Sequence, residues 1–397
     1  AGAAAAEALT RFSPSARITL LESKRVLGGR AGSYIDPDSE GEVDYCQHAA
    51  MGCCTNLLDL LNQCGLEKSF RRYQKLTFLH PDHPPSQFVP SRILPPPLHL
   101  LGPINSQRYL SRRQKRDIKS GLWKLMRTPP SEMGNARAAQ WLTDVGQDPE
   151  TIKNFWDIIL VSALGEQTDR VSMTAARKVL IDGFAIARGA SDVLVPQLPL
   201  AEIFGRMLAE HLQSRGVEVQ TGTPVRQITA DGGVATKNGH FEADAIISAV
   251  PWHQLSKLCD QWPVARRRQI ATFDAIAKIP ASPITCLHLW FDSPITDLDH
   301  AVMVGTVSQW LFREPFGSRK LDRVENLHRE HYFQVVISAS ADVTAVSKQD
   351  LVDQVLSELR TAFPAARAAK LLRYRVVTDP NSVFSIRPEV ELLRPPT

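Results

Sequence analysis

Residues 17–33 read RITLLESKRVLGGRAGS, and the rest of the chain can be understood from this stretch. Its ITLL run is apolar and partly β-branched, which is typical of a buried strand. Glu22 ends the run, and a carboxylate at the tip of a parallel strand can accept hydrogen bonds from both ribose hydroxyls of a dinucleotide. Gly28 and Gly29 allow backbone amides to approach a pyrophosphate, and Arg30 offers it a fork of donors. The stretch predicts the second strand of a dinucleotide-binding unit and the loop after it.

The residues before this stretch extend the prediction. Residues 1–9 read AGAAAAEAL and predict a helix of small residues ahead of the strand. In a Rossmann unit the first helix packs tightly on the sheet, and its N-terminus faces the phosphates. Gly2 stands where the third glycine of a G-x-G-x-x-G fingerprint belongs, with Glu22 about 20 positions beyond it. The first strand and the first two glycines are missing, so we expect an N-terminal truncation; an ordinary αβ unit with a glycine turn is the alternative.

The spacing of these residues carries a family resemblance. The pattern E-x5-G-G-R-x2-S resembles the flavin amine oxidase and carotenoid desaturase superfamily, which binds FAD; its members here are Glu22, Gly28, Gly29, Arg30 and Ser33. Other segments resemble, within that superfamily, the squalene-associated FAD-dependent desaturases, or hydroxysqualene dehydroxylases. These segments are 43–61, 94–101, 182–196 and 243–251. The resemblance is collinear and covers nearly the whole chain.

The resemblance implies an α/β fold, with a Rossmann-like FAD-binding domain of the glutathione-reductase type and an inserted α+β substrate or cap domain. We expect the FAD-binding domain over residues 1–70 and 201–255. We expect the substrate and cap domain over 71–200, and its remaining sheet and helices over 256–397. In this family a C-terminal FAD segment follows, so we also expect a truncation at this end. With both ends of the site missing, residues 1–397 alone should bind FAD weakly or not at all.

The resemblance also assigns site residues. Gln47, His48, Met51 and Gly52 should lie at or near the isoalloxazine ring, and the backbone of Val225 should contact the adenine. The full set of expected cofactor-binding residues is Gly2, Glu22, Ser23, Gly28, Gly29, Arg30, Gln47, Met51, Gly52 and Val225. His48 is the candidate catalytic residue, because imidazole can act as an acid near neutral pH; a hydrogen-bonded structural histidine is the alternative.

The implied activity is a reaction of hopanoid biosynthesis, the reductive dehydroxylation of hydroxysqualene to squalene. Reduced flavin would deliver a hydride, and His48 or another acid would protonate the departing hydroxyl. A carotenoid or phytoene-type desaturase, or another enzyme like the flavin amine oxidases, is the first alternative. A non-catalytic lipid-binding protein on a decayed flavin fold is the second. The sequence does not indicate the electron donor.

Composition excludes several other classes. The chain has 397 residues, of which 43% are hydrophobic, and a net charge of +4. This small excess, without a nucleic-acid motif, excludes a nucleic-acid partner. The six cysteines follow no zinc spacing and no signal peptide precedes them, which predicts reduced thiols, no metal and a cytoplasmic protein. No run of 18 apolar residues is present, so we expect no membrane span.

Two further segments give predictions of their own. Residues 107–127 hold eight basic residues and one acid, Asp117, together with apolar residues at helical spacing. Such a helix can lie on an anionic membrane, here the inner face of the cytoplasmic membrane. Alternatively, its apolar stripe packs on its own domain and the charges are solvated. Residues 243–251 read ADAIISAVP and predict another buried strand of the nucleotide domain.

Overall fold

The computed structural model describes residues 1–38, 41–269, 273–313, 330–391 and 393–394. The strands in these ranges are β1 (Thr19–Leu21), β2 (Ser33–Ile35), β3 (Glu42–Asp44), β4 (Ala50–Met51), β5 (Phe70–Tyr73), β6 (Leu76–His80), β7 (His83–Phe88), β8 (Val193–Pro196), β9 (Glu218–Gln220), β10 (Val225–Ile228), β11 (Gly233–Thr236), β12 (His240–Glu242), β13 (Ala281–Phe291), β14 (His300–Met303), β15 (Trp310–Arg313), β16 (His331–Ser338) and β17 (Leu371–Phe384).

The α-helices in the same ranges are α1 (Gly2–Phe12), α2 (Thr55–Gln63), α3 (Leu101–Ser106), α4 (Arg112–Arg127), α5 (Ala138–Asp144), α6 (Pro149–Thr151), α7 (Asp157–Leu164), α8 (Met173–Arg177), α9 (Leu208–Ser214), α10 (Trp252–Leu258), α11 (Val264–Gln269), α12 (Phe273–Ile276), α13 (Lys348–Ala362) and α14 (Pro388–Glu391). Stretches of π-helix adjoin α7, α8 and α9, over Ile152–Trp156, Lys178–Ala185 and Ala201–Met207.

The opening helix and strand form as predicted. Strand β1 pairs in parallel with β9, so that Thr19 lies opposite Glu218 and Leu21 opposite Gln220. Helix α1 packs on β1 and α9, and its buried Ala6 belongs to a core that includes Ile203 from the far part of the chain. Residues from the two sequence segments assigned to the nucleotide unit therefore share one core.

The largest sheet has seven strands in the order β17-β13-β16-β15-β14-β6-β7. Strands β13, β16 and β17 pair antiparallel over long registers, while β6 joins β14 in parallel. Helix α13 covers one face with a stripe of buried side chains, Leu351, Val352, Val355, Leu356 and Leu359. The hairpin β6–β7 thus completes a sheet whose other strands come from residues 281–384. The domain boundaries at 71 and 200 remain predictions.

A smaller sheet, in the order β4-β8-β5, joins two of the segments that carried the resemblance. Ala50 lies opposite Leu194 and Met51 opposite Val193. The 43–61 and 182–196 segments therefore meet in space, although more than a hundred residues separate them in the sequence.

The basic segment 107–127 becomes α4, which begins at Arg112. Ser111 caps this helix, because its hydroxyl accepts from the backbone N–H of Gln114. In return, the Oε1 of Gln114 accepts from the backbone N–H of Ser111. Ile118 and Leu125 are fully buried in the helical core. The stripe packs on its own domain, as the alternative held, and the basic residues face outward. Contact of this segment with a membrane stays a prediction. In the part of the chain that the structure describes, no helix is long and apolar enough to cross a bilayer.

The predicted buried strand over residues 243–251 is wrong. This segment has no regular structure, and most of it is exposed, including Ile247. Strands need a hydrogen-bonding neighbour, and in the described ranges no strand pairs with this segment. Its apolar pattern resembles that of a buried strand, but it has no partner here.

Candidate functional site

Glu22 stands at the tip of β1, as predicted. Its Oε1 accepts from the backbone N–H of Lys24 at 2.8 Å and from the hydroxyl of Ser23 at 3.1 Å. The carbonyl of Glu22 accepts from the N–H of Thr223 at 2.8 Å. Val225 opens β10 only two residues later, so the structure brings it to the same region as Glu22. Hydrogen bonds from Ser23 and Lys24 therefore orient the carboxylate, which follows the last residue of a strand in a parallel pair.

The glycine turn after Glu22 has a conformation that requires glycine. Gly28 has φ +113° and Gly29 has φ +63°, values that other residues rarely adopt. A Cβ atom at Gly28 would lie 2.5 Å from the carbonyl oxygen of Ala31. The ammonium group of Lys24 donates to the Gly29 carbonyl at 2.9 Å. This lysine was not predicted, and its only signal in the sequence is its place inside the loop.

Gly2 allows a close approach at the start of α1. A Cβ atom there would lie 3.2 Å from the Cβ of Ala249 and 3.3 Å from the Leu20 side chain. The third glycine of the dinucleotide fingerprint serves such helix–strand packing. The irregular 243–250 segment therefore passes directly against the N-terminus of α1.

Arg30 was predicted to hold a pyrophosphate, and the structure gives it protein partners. Its Nη1 donates to the carbonyl of Asn381, at 3.2 Å, and to that of Ser382. The guanidinium also lies 5.9 Å from the ring centroid of Trp252. Five N–H donors are available on an arginine, so a phosphate contact would use those that do not bind β17. That role stays a prediction.

His48 is a neutral base in this arrangement. Its Nδ1 lies 2.8 Å from the carbonyl of Cys46, which can only accept, so Nδ1 carries the proton. Burial and the positive charge of Arg30 lower the pKa of His48. The hydrogen bond to the Cys46 carbonyl acts in the opposite direction, but the pKa remains below its ordinary value. Near neutral pH, Nε2 therefore presents a lone pair. The role of His48 as an acid stays a prediction, and it would require prior protonation of Nε2.

Residues 47–52, which we call the His48 corner, make a tight bend in the backbone. Gln47 is buried; its Nε2 donates to the His48 carbonyl at 3.1 Å, and its Oε1 has no recorded partner among the described residues. The N–H of Gly52 donates to the Asp192 carbonyl at 2.8 Å. A Cβ atom at Gly52 would lie 1.8 Å from the Gly189 carbonyl oxygen. Glycine is therefore required at position 52, because the backbone there passes too close to the backbone of Gly189 to leave room for a side chain.

Asp44 anchors this corner and was not predicted. Its Oδ1 accepts from the Ser33 hydroxyl at 2.6 Å and from the N–H of Leu200 at 2.9 Å, and the Ser33 hydroxyl oxygen accepts from Ala201. Burial raises the pKa of Asp44 to about 7, against these two bonds that lower it. The carboxyl ties the β2–β3 hairpin to the start of the 201–207 helix. Its place beside Val43 in a short strand was its only sequence signal.

The residues present fit an FAD molecule. A carboxylate at the tip of a parallel strand suits a ribose, and two left-handed glycines with the start of α1 suit a pyrophosphate. The buried Oε1 of Gln47, which has no recorded partner among the described residues, is an acceptor that a ring N–H can satisfy. Glu22, Gly28, Gly29 and Gln47 are therefore the residues that would hold the cofactor.

Replacing Glu22 with glutamine should weaken FAD binding by tenfold or more. A hydrogen bond to a charged group contributes roughly 1.5–3 kcal/mol, and the substitution removes the charge but keeps the shape. Titration of the full-length apoprotein with FAD measures the effect. Glu218→Gln on the neighbouring strand β9 is the matched control, because Glu218 binds Thr19 and Gln220 instead. Equal affinities for the two variants would remove Glu22 from the ribose site.

Known proteins share this architecture. An oxidoreductase from Methanosarcina mazei superimposes with a TM-score of 0.69 at 14% identity, over 95% of this chain and 85% of that one. Cyclohexylamine oxidase from Brevibacterium oxydans superimposes with a TM-score of 0.62 at 17% identity, over 95% and 82%. At such identities the likeness establishes the fold.

Curated relatives align with nearly all of the chain. The 15-cis-phytoene desaturase of Synechococcus elongatus is 24% identical over 406 residues, which cover 94% of this chain and 81% of that protein. Its counterpart from Solanum lycopersicum is 23% identical over 397 residues, which cover 95% of this chain and 66% of the plant protein. The zeta-carotene desaturase of a Synechocystis strain is 21% identical over 420 residues, which cover 95% and 84%.

A family model described as flavin containing amine oxidoreductase matches residues 1–397. This match agrees with the fold, with the site geometry and with the fit of the donor and acceptor groups to FAD. The cofactor is FAD, and the chain belongs to the family of flavin containing amine oxidoreductases.

Proposed function

We propose that this protein is an FAD-dependent oxidoreductase that acts on a linear isoprenoid hydrocarbon, and that it desaturates a carotenoid-type polyene. The observation that carries the proposal is the alignment, over 94–95% of the chain, with phytoene and zeta-carotene desaturases. The resemblance to hydroxysqualene dehydroxylases agrees on the class of substrate and differs on the direction of electron flow.

The surroundings of Met51 support an apolar substrate. Met51 follows the His48 corner directly and contacts an apolar cluster between the small sheet and the seven-stranded sheet. The cluster consists of Leu76, Val193, Val195 and Phe312, with Tyr73, Phe78, Phe88, Trp310 and Val336 packed against it. Apolar surroundings of this kind beside the predicted flavin ring keep water away from a hydride transfer.

The protonation state of His48 supports desaturation in particular. Desaturation removes a hydride and a proton from neighbouring carbons, so a proton acceptor is needed. FAD supplies the hydride acceptor when it is bound. A neutral imidazole with its lone pair on Nε2 is ready to accept the proton, and the Cys46 carbonyl that holds Nδ1–H stabilises the resulting cation.

Reductive dehydroxylation of hydroxysqualene is the second candidate. The segments 43–61 and 182–196 favour it, because both resemble dehydroxylases and pair with each other through β4 and β8. In this reaction a hydride is added to the substrate, and the hydroxyl leaves as water after protonation. His48 would have to be protonated first to act as the acid.

The direction of flavin reduction tests the two candidates. We expect that phytoene in mixed vesicles, added without oxygen to the oxidised full-length holoprotein, bleaches the visible flavin absorbance as two electrons leave the substrate. If hydroxysqualene instead restores the absorbance of the reduced holoprotein, the second candidate is correct. A holoprotein that responds to neither compound would contradict both and favour a non-catalytic lipid-binding protein.

His48→Ala gives the corresponding test of the base. Loss of a general base lowers the rate on the order of 10²- to 10⁴-fold, so bleaching should slow by that factor while the flavin content is retained. His83→Ala at the exposed start of β7 is the control. Unchanged bleaching in His48→Ala would remove His48 from the mechanism.

A further inference from the structure

Two cysteines stand side by side at the start of α2. Cys53 and Cys54 directly follow the His48 corner, and Cys54 is the residue before the first turn of the helix. All six cysteines of the chain lie in the described ranges, and none forms a disulfide. Among them only Cys54 is exposed, and the others are half-buried or buried. This pair of thiols has no part in the flavin chemistry described above.

The two sulfur atoms have different surroundings. The N–H of Cys53 donates to the carbonyl of Ala190 at 3.0 Å, and the N–H of Cys54 donates to that of Met51 at 2.9 Å. A Cβ atom at Gly183 would lie 3.6 Å from the Cys53 sulfur, so the Cys53 side chain packs against the π-helix over Lys178–Ala185. Cys53 is therefore the inner thiol of the pair, and Cys54 is the outer one.

The outer thiol loses its proton more readily than an ordinary cysteine. The thiol of Cys53 donates a hydrogen bond to the sulfur of Cys54, and the backbone of Met51 bonds the same sulfur. These bonds lower the pKa of Cys54 below its ordinary value, against partial burial, which raises it. The hydrogen bond between the two thiols raises the pKa of Cys53, which keeps its proton. The start of a helix also favours a thiolate.

We propose that Cys54 is a site of reversible thiol–disulfide exchange with small disulfides. The Cys54 thiolate attacks one sulfur of a disulfide R–S–S–R, and the other sulfur leaves as the thiolate RS⁻. The product is a mixed disulfide, Cys54–S–S–R, in which the Cys54 sulfur is oxidised and the departing half of the small disulfide is reduced. A small thiolate reverses the reaction by attack on the same bond. Exposed thiolates next to a second cysteine are typical of cysteines that are oxidised reversibly.

A mixed disulfide at Cys54 would alter the start of α2. The modified sulfur is neutral, and hydrogen bonds to a neutral acceptor are weaker than those to a charged one. The bonds from Cys53 and Met51 to this sulfur should therefore weaken. Met51 belongs to the His48 corner, so the modification would act on a segment next to the flavin site. The exchange itself does not depend on the substrate of the flavin reaction.

The test exposes the full-length holoprotein to oxidised glutathione and follows the attached mass by mass spectrometry. We expect one glutathione per chain, which peptide mapping locates on Cys54 and dithiothreitol removes. Cys54→Ser should react at least about tenfold more slowly, because a hydroxyl does not supply the thiolate nucleophile. Cys64→Ser at the other end of α2 removes a buried thiol whose pKa is raised by burial. This variant is the matched control and should react like the wild type.

The pH dependence of alkylation tests the role of Cys53. Iodoacetamide should modify Cys54 with a midpoint below the ordinary thiol pKa of 9.0. Cys53→Ala should move this midpoint to higher pH, because the hydrogen bond that stabilises the thiolate is lost. Cys53→Ser keeps a hydroxyl donor at this position, so its midpoint should remain near that of the wild type.

Three outcomes would overturn the proposal. Attachment of glutathione mainly to another cysteine would exclude Cys54 as the site, and so would equal rates for Cys54→Ser and Cys64→Ser. An alkylation midpoint that Cys53→Ala leaves unchanged would exclude the pairing of the two thiols. Flavin content equal to that of the wild type checks that each variant is folded. Because no isoprenoid is present, glutathione attachment and the flavin response to phytoene can fail separately.

Discussion

Replacing Gly52 with alanine is expected to lower the free energy of unfolding by about 3 kcal/mol or more and to reduce the bound FAD. The added methyl would lie 1.8 Å from the Gly189 carbonyl oxygen, and a backbone atom cannot rotate away as a side-chain end can. Relief requires the 189–192 segment to separate from the His48 corner. That movement breaks the bond from Gly52 N–H to Asp192 and disturbs the β4–β8 pairing.

Urea unfolding and flavin content of the purified full-length protein measure this effect. Gly102→Ala is the matched control, because a Cβ atom at Gly102 in α3 meets no other atom within 4 Å. Alanine in a helix is favoured over glycine by roughly 0.8–1.0 kcal/mol, so this control should be neutral or slightly stabilising. If Gly52→Ala unfolds at the same urea concentration as Gly102→Ala, the close crossing of the two segments is wrong.

Replacing Asp44 with asparagine is expected to remove a large dependence of stability on pH. The folded pKa of Asp44 is about 7 against an ordinary value of 3.8, so the folded state holds its proton more tightly than the unfolded chain. Stability from this group is therefore full below the ordinary pKa and falls as the pH rises through the folded pKa. The raised pKa corresponds to on the order of 4 kcal/mol across this window.

The comparison is made by denaturant unfolding of wild type and Asp44→Asn across the window between these two pKa values. The difference between their free energies should change in favour of the variant as the pH rises. Ser33→Ala removes a donor that stabilises the charged form, so its inflection should shift to higher pH. A wild-type stability that changes with pH in parallel with that of Asp44→Asn would contradict a protonated Asp44.

The elements that could be predicted from the sequence are those whose residue pattern indicates the same local structure that binding of a dinucleotide requires. The strand before Glu22, the glycine turn at Gly28 and the opening helix follow from residue types within about thirty positions, and all three form. Fold and FAD follow from the same short stretch. The periodicity of α4 was also predicted correctly, since it depends only on spacing along one helix.

The incorrect or missing predictions involve partners far away in the sequence. The helical periodicity predicts that Ile118 and Leu125 lie on one face of α4, but the sequence alone does not indicate whether protein or lipid covers that face. Arg30 reaches carbonyls on β17 more than three hundred residues away. Residues 243–250 have the composition of a strand, and only tertiary structure decides whether a neighbouring strand is there. Asp44 acquires its raised pKa from burial that no local pattern records.

The hairpin β6–β7 sits in a sheet whose other strands come from residues 281–384, and β1 pairs with a strand about two hundred positions later. During synthesis the edges of these strands therefore remain unpaired until most of the chain has left the ribosome. Topologies dominated by such distant contacts fold slowly and expose surfaces that aggregate. For this protein, chaperone supply and growth temperature should determine the recoverable yield more strongly than its final stability does.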